Sequence, residues 1–392
     1  MVLDEEFPPD LRVEREALSL IHSGHHVDLL CYTRTNKKTT EQYKGISIYR
    51  VPISRLKYKF KALSLSFPLY FNFWKKKLEK QVRKEKYDVI HFHDLPLAKP
   101  CIEIAKKYSI PVIGDYHENR PEIMKMYHHV TTFPGKLLIS TSKWEYFQKE
   151  YSPKLDQLIL VTREAKDYYH SNFNILNDKI NVVANYPVLS DILESKIDGG
   201  IIQRYQKKFM ILYFGDTGTR RGTLTLIEAA FQLRNEHEYH FVLIGTSREQ
   251  KQLTKKVKEL GLSNIELLGY VPFQKAVSYI AASKAGVCPF LRNIHHDTTY
   301  ANKLFQYMAL GKPPIVSDCP SQVNVIKESH AGLIFKAGNV NELVDRISAL
   351  KKDKKLYDSL SDNARTSVRE KYHYKTAERN LLEAYKKIEN EN

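Results

Sequence analysis

Short apolar runs, separated by amphipathic stretches of helix length, recur from one end of the chain to the other. In the first half they fall at residues 1–3, 27–32, 46–51, 88–93, 111–115, 158–161 and 180–183. Each is too short for a helix and reads as a strand. Residues 13–22 carry Val13, Ala17, Leu20 and Ile21 at helical spacing and stop at Gly24. The second half repeats the theme, with runs at 209–214, 240–245, 265–268, 285–290 and 314–317 and a helix over 223–234. Strands separated by helices imply parallel sheets with helices on both faces, and their division into two sets implies two doubly wound α/β domains.

Candidate chemistry concentrates after two of the second-half strands. The stretch 295–318, HHDTTYANKLFQYMALGKPPIVSD, follows the run 285–290. Asn302 is expected to cap a helix over 303–310, which Gly311 closes and Pro313 and Pro314 forbid from continuing. A strand, a loop and a helix opening on Lys303 bring unpaired N–H groups and a cation to the carboxyl edge of a sheet. That is a place for an anion, most often a phosphate. The loop 215–222, GDTGTRRG, also joins a strand directly to a helix. Its outer glycines permit tight turns, and the N–H groups around Gly215 and Gly218, with Arg220 and Arg221, suit a diphosphate. The loop is neither the dinucleotide fingerprint nor a P-loop, so its plain alternative is a connection with solvated arginines.

Hydrophobic residues make up 42% and charged residues 27% of the 392, a globular composition with length for two domains. Residues 186–208, with Pro187, Gly199 and Gly200, read as the linker; 354–392 read as two helical stretches, the last with Leu381, Leu382 and Tyr385 on one face. No apolar run approaches the roughly 20 residues of a membrane span. The start lacks the basic and apolar segments of a signal peptide, so a cytoplasmic location is expected. Cys31, Cys101, Cys288 and Cys319 are scattered singly, as buried free thiols in a reducing compartment are.

The formal net charge of +16 calls for an acidic partner: nucleic acid, anionic lipid or a phosphorylated substrate. Residues 57–61 and 71–77, continuing to 86, interleave aromatics with cations. They suit peripheral docking on an anionic membrane, against the commoner case of an amphipathic helix with a solvated basic face. Histidines occur in the pairs His25 and His26, His91 and His93, His128 and His129, and His295 and His296. Their spacings match no familiar zinc pattern, and no metal is expected. His117 stands apart, at the carboxyl edge of the strand 111–115, where ligands bind and where a histidine is also commonly just a polar cap.

The segments FPPDLRVEREA (7–17), DVIHFHD (88–94), DYHE (115–118) and NKLFQYMALGKPPIVSD (302–318) together resemble the retaining glycosyltransferases of family 4. That family's signature reads (P)xKLFEYMAxGKPVIxSD, and the resemblance spans most of the chain. It implies a GT-B-like fold: an acceptor-binding Rossmann-like domain over 1–187, a nucleotide-sugar-binding one over 188–374 facing it across a cleft, and a C-terminal helix over 375–392 crossing back to the first. It implies transfer, with retention, of a hexosyl or N-acetylhexosaminyl group from a nucleotide sugar to a glycan or lipid-linked acceptor, with no metal, no cofactor and no nucleic acid. In that chemistry the departing diphosphate oxygen takes the acceptor's proton while Arg221 and Lys303 stabilise its charge. The resemblance places His117 at the transferred sugar, Arg12 at the opening of the first helix toward the donor, and Gln306 at the ribose hydroxyls.

The chain departs from the family in two features. Asp216 stands where the glycine-rich loop should carry its first arginine, and Arg220 is the candidate replacement. Thr298 and Gln306 occupy the two glutamate positions of the signature, and Asp297 is the candidate substitute for the first. These losses favour a rival reading, a catalytically degenerate sugar-nucleotide-binding or scaffold protein. A sugar-nucleotide epimerase on the same fold is a second rival and needs strong acid and base groups. The brevity of the opening strand leads to the expectation that the natural start lies a few residues upstream.

Overall fold

The apolar runs of the first half become strands in the computed structural model: β1 (Val2–Glu6), β2 (Asp28–Thr33), β3 (Thr40–Tyr43), β4 (Ile46–Pro52), β5 (Ile90–His93), β6 (Val112–Tyr116), β7 (Gln157–Leu160) and β8 (Ile180–Val182). They form one sheet in the order β3-β4-β2-β1-β5-β6-β7-β8, parallel throughout except for β3 against β4. No apolar run announces β3, whose sequence TEQY is exposed or half-buried. It forms because Lys44 and Gly45, both at positive φ, make the tight turn that folds it back on β4.

The second sheet consists of β9 (Phe209–Phe214), β10 (Tyr239–Ile244), β11 (Ile265–Gly269), β12 (Ala285–Cys288), β13 (Pro314–Ser317) and β14 (Leu333–Phe335), all parallel, in the order β11-β10-β9-β12-β13-β14. Among the parallel strands of each sheet the order reverses once, beside β1 in the first and beside β9 in the second. Such switch points open a crevice at the carboxyl ends of the strands, where ligands bind in open α/β sheets.

The chain divides into two compact units, Met1–Ala184 with Ala377–Asn392, and Asn185–Thr376. The structure describes residues 1–35, 37–59, 61, 63–127, 130, 132–133 and 135–391; His128 and His129 lie outside them. The helix Tyr374–Glu391 joins the first unit from Ala377 onward, burying Leu381, Ala384, Tyr385 and Ile388, with Leu382 only half-buried. The expected linker is folded into the second unit instead. Asp198 caps the helix Gly199–Tyr205 through the N–H groups of Gly200 and Ile201, and Tyr186, Ile201 and Tyr205 are buried.

Each sheet carries its own core, around Trp74, Phe92 and Leu158 in the first unit and Ile211, Phe241 and Leu343 in the second. All four cysteines are buried and free. Of the aromatic residues expected to meet a membrane, Phe71 and Trp74 instead build the first core and Tyr58 and Phe73 pack against it; Phe60 lies outside the described residues. Along the helix Leu69–Lys84, Tyr70, Phe71, Trp74, Leu78 and Val82 form the buried stripe, and Phe71 stacks on Phe147 at 5.5 Å. Lys76, Lys80, Arg83 and Lys84 take the exposed face. No described helix is long and apolar enough to cross a membrane.

Candidate active site

The second unit gathers its cations at the switch point. The loop leaving β9 starts at Gly215, whose φ of +126° and bare Cα make room for Lys303: an added Cβ would meet the ammonium nitrogen at 3.0 Å. Gly222, at φ +77°, backs onto the Pro289 carbonyl so closely that a Cβ would lie 1.7 Å from its oxygen. Between them, Gly218 N–H donates to Asp216 Oδ1 at 2.9 Å, and Thr219–Arg221 make one tight turn.

Asp216, where an arginine was expected, serves as a countercharge: Arg220 Nη2 donates to its Oδ2 at 2.5 Å, and Arg221 Nε lies 3.8 Å from the same oxygen. Arg220 Nη1 is buried without a hydrogen-bond partner, and the Arg221 guanidinium lies over the Phe290 ring at 4.8 Å.

Lys303 sits in the first turn of the helix Asn302–Ala309. Asn302 is the first helical residue and not the cap; Ala301 takes the cap position and no side chain closes the helix start. Lys303 is 8% exposed, with its ammonium 3.8 Å from the centre of the Tyr213 ring and 5.5 Å from that of Phe290. Burial lowers its pKa to about 7; Cys288 opposes the fall and Arg221 adds to it. Gln306, three residues on, keeps Oε1 buried without a hydrogen-bond partner.

Thr298, at the first glutamate position, and Asp297, its candidate substitute, are both engaged. Thr298 Oγ1 donates to the Ile294 carbonyl at 2.7 Å. Asp297 accepts from Arg292 at both oxygens, at 2.7 and 2.9 Å.

His295 and His296, weighed in the sequence only as metal ligands, instead flank the cations. Burial holds both imidazoles neutral, with pKa values lowered to about 3 and about 4, and Arg220 and Arg221 add to each shift. His296 stacks on Phe290 at 4.7 Å, with Nδ1 2.7 Å from the Leu291 carbonyl. His296 Nε2 and His295 Nδ1 are buried without hydrogen-bond partners. The only sequence signal for them was their place in the loop after β12. Three cations, two neutral imidazoles and an unpaired amide oxygen make a site for an anion attached to a hydroxyl-bearing group.

The first unit builds its own polar cluster at the ends of β5 and β6. Arg12, in the first turn of the helix Leu11–His22, makes a bidentate pair with Asp115, Nε to Oδ2 at 3.0 Å and Nη2 to Oδ1 at 2.8 Å. Its Nη1 donates to the Val183 carbonyl at 2.8 Å, and Glu16 lies 3.0 Å from Nη2. Arg12 thus ties the helix Leu11–His22 to the interior of the unit.

His117 is the accessible member, with 21% of its side chain exposed. Its Nε2 is 3.1 Å from Asp115 Oδ2, and Nδ1 is 3.6 Å from Asp94 Oδ2. Burial disfavours its charge, but Asp94 and Asp115 overcome that and raise its pKa to about 9. Burial likewise opposes ionisation of Asp115, and Arg12 and His117 hold it well below the usual carboxylate range. Asp94 adopts φ 71°, ψ 148°, a conformation few non-glycine residues take and one found mostly at functional sites. Its Oδ1 accepts from the His117 N–H at 3.2 Å, which spends that strain on placing His117.

Two family models match in tandem: "Glycosyltransferase Family 4" over residues 12–186 and "Glycosyl transferases group 1" over 196–367. The chain belongs to glycosyltransferase family 4. This family 4 glycosyltransferase is 24% identical to an uncharacterised glycosyltransferase of Methanocaldococcus jannaschii over 97% of its own length and 96% of the relative's. It is 25% identical to the GDP-mannose:cellobiosyl-diphosphopolyprenol alpha-mannosyltransferase of Xanthomonas oryzae pv. oryzae over 55% of the chain and 58% of that enzyme. Among solved structures, HepE of Anabaena in complex with UDP superposes with a TM-score of 0.72 over 98% of both chains, at 14% identity. The fold is GT-B, two Rossmann-like α/β domains, as the family resemblance implied.

Proposed function

We propose that this glycosyltransferase moves a hexosyl or N-acetylhexosaminyl group from a nucleotide sugar to a glycan or lipid-linked acceptor, with retention of configuration. The observation that carries the reading is the convergence of Lys303, Arg220 and Arg221 around Gly215 and Gly222. A diphosphate leaving group gains charge as the glycosidic bond breaks, and cations fixed before the event stabilise that charge without reorganising. Neither lost glutamate is needed for this step, because the leaving oxygen can take the acceptor's proton. Gln306 Oε1 would accept from a ribose hydroxyl, and His117, held as an imidazolium, would donate to the transferred sugar. The UDP complex of HepE and the GDP-mannose donor of the Xanthomonas enzyme favour a nucleotide-linked donor. The polyprenol-linked acceptor in the latter's name favours work at the cytoplasmic face of a membrane.

The test is a panel of sugar nucleotides, with nucleoside diphosphate release followed in time and the anomeric configuration of any glycoside read by proton NMR. Slow hydrolysis of one donor without acceptor, and faster release with retained configuration when a polyprenol-diphosphate glycan is added, is the expected result. Binding without turnover under every acceptor tried would favour the degenerate reading. An inverted product would overturn retention.

A further inference from the structure

Behind His117, the interior of the first unit holds donors that the transfer reaction does not use. His91 and His93 are two apart on β5, so both rings stand on one side of the sheet, their centres 4.6 Å apart. Glu16 reaches them from the helix Leu11–His22, and Asp115 from β6. All four are buried, and one potential ligand atom of each lies within 4.8 Å of the others. Nδ1 of each imidazole is occupied: His91 by the Tyr385 hydroxyl at 2.9 Å, His93 by Asp115 Oδ2 and His117 Nε2, both at 3.2 Å. Nε2 of each has no hydrogen-bond partner, and Glu16 Oε1 faces Arg12 Nη2 at 3.0 Å in an ion pair. A buried polar atom left without a partner is costly enough to need an explanation. A protonated Glu16 can share its hydrogen with Asp115, but that leaves both ring nitrogens unexplained.

We propose that His91 Nε2, His93 Nε2 and the Glu16 carboxylate bind a divalent transition-metal ion of the zinc class, with Tyr385 and Asp115 orienting the two imidazoles from behind. Two imidazoles and a carboxylate are a donor set zinc takes, with the fourth position left to water. An outer hydrogen bond at Nδ1 fixes the ring and leaves the Nε2 lone pair free, the arrangement that metal-binding histidines use. The charges opposing an ion are Arg12, 3.0 Å from Glu16, and His117, whose Nε2 is 3.2 Å from His93 Nδ1; Asp115 pairs with both and Asp94 lies 3.6 Å from His117. Histidine spacing alone could not show this site, because its third ligand comes from a distant helix. The role is structural: the ion ties the helix Leu11–His22 to β5 and, through Tyr385, to the C-terminal helix. None of its ligands is among Lys303, Arg220 and Arg221, the cations read as meeting the donor diphosphate.

The test titrates chelator-treated full-length protein with Zn²⁺ and Co²⁺. Expected are one tightly bound equivalent, a visible Co²⁺ spectrum typical of four-coordinate nitrogen and oxygen ligation, and a melting temperature raised by Zn²⁺. Tyr385→Phe keeps every ligand and should weaken the metal about 10- to 100-fold. Glu16→Gln should abolish the equivalent, and His237→Ala, at an exposed histidine, should retain it. Nucleoside diphosphate affinity should be the same with and without chelator, which separates this proposal from the transferase reading. If wild type takes up no equivalent, or if uptake is unchanged in both Glu16→Gln and Tyr385→Phe, the proposal is overturned.

Discussion

At the scale of single residues, the account turns on two side chains of one helix. Lys303 is held by burial against aromatic rings, beside a glycine that leaves it room, so its terminal nitrogen is placed before any substrate arrives. Lys303→Ala should therefore lose roughly 2–4 kcal/mol of transition-state stabilisation, about 30- to 1,000-fold in kcat. Turnover within a few-fold of wild type would remove Lys303 from the mechanism. Gln306 offers a buried, unpaired carbonyl oxygen on the same helix. Loss of its hydrogen bonds in Gln306→Leu should weaken nucleoside diphosphate binding about tenfold, whereas Gln306→Glu, which keeps an acceptor, should bind nearly as wild type. Calorimetry on both variants decides it, and equal affinity of Gln306→Leu and wild type would move the ribose elsewhere. The sequence displayed these two residues plainly, since Lys303 and Gln306 lie in a motif with distinctive neighbours. It hid the engagement of Asp297 by Arg292 and of Arg12 by Asp115, because which partner a charge chooses depends on distances that only the folded chain sets.

At the scale of elements, the legible parts are those whose burial is continuous. β9 and β13 coincide with their apolar runs at both ends because both faces of each strand are covered. β3 was invisible because an edge strand with a polar face carries no such run, and β14, three residues long, is too short to stand out. The 186–208 segment misled for a different reason: its two glycines open a capped helix and do not mark a flexible joint. The loop 215–222 was legible as a turn, and its geometry shows how little freedom it has. Gly222→Ala would place a Cβ against the Pro289 carbonyl at a positive φ, so the loop must shift or strain. A destabilisation of at least about 1–3 kcal/mol is expected, read as a lower melting temperature, together with weaker diphosphate binding. A variant as stable as wild type would show that the turn is more plastic than its close approach implies.

At the scale of the whole molecule, the excess of positive charge has two outlets. One is the cation cluster of the second unit; the other is the exposed face of the helix Leu69–Lys84, with Phe67 and Leu69 exposed at its start, 54% and 60%. With the aromatics of that helix turned inward, membrane docking rests on its cations, each contributing about 1 kcal/mol near an anionic surface, and on those two apolar residues. The protein should sediment with anionic but not neutral vesicles, and Lys76→Glu with Lys80→Glu should reverse this; equal binding to both vesicle types, or none, contradicts it. The central claim, that Lys303 and its neighbours receive the donor diphosphate, has a more direct test. Its pKa of about 7 leaves Lys303 largely neutral at pH 8, and a bound diphosphate restores its charge. Binding at pH 8 must then draw a proton from solution, the uptake fading below pH 7, where the free lysine is already charged, and affinity falling as pH rises above 7. The measurement is calorimetric titration of wild type and Lys303→Ala with UDP and with GDP at pH 8, each in two buffers of different ionisation enthalpy. The account predicts uptake approaching one proton for wild type with the nucleotide that binds, and weaker binding without uptake for Lys303→Ala; tight binding with no proton uptake in both proteins would contradict it.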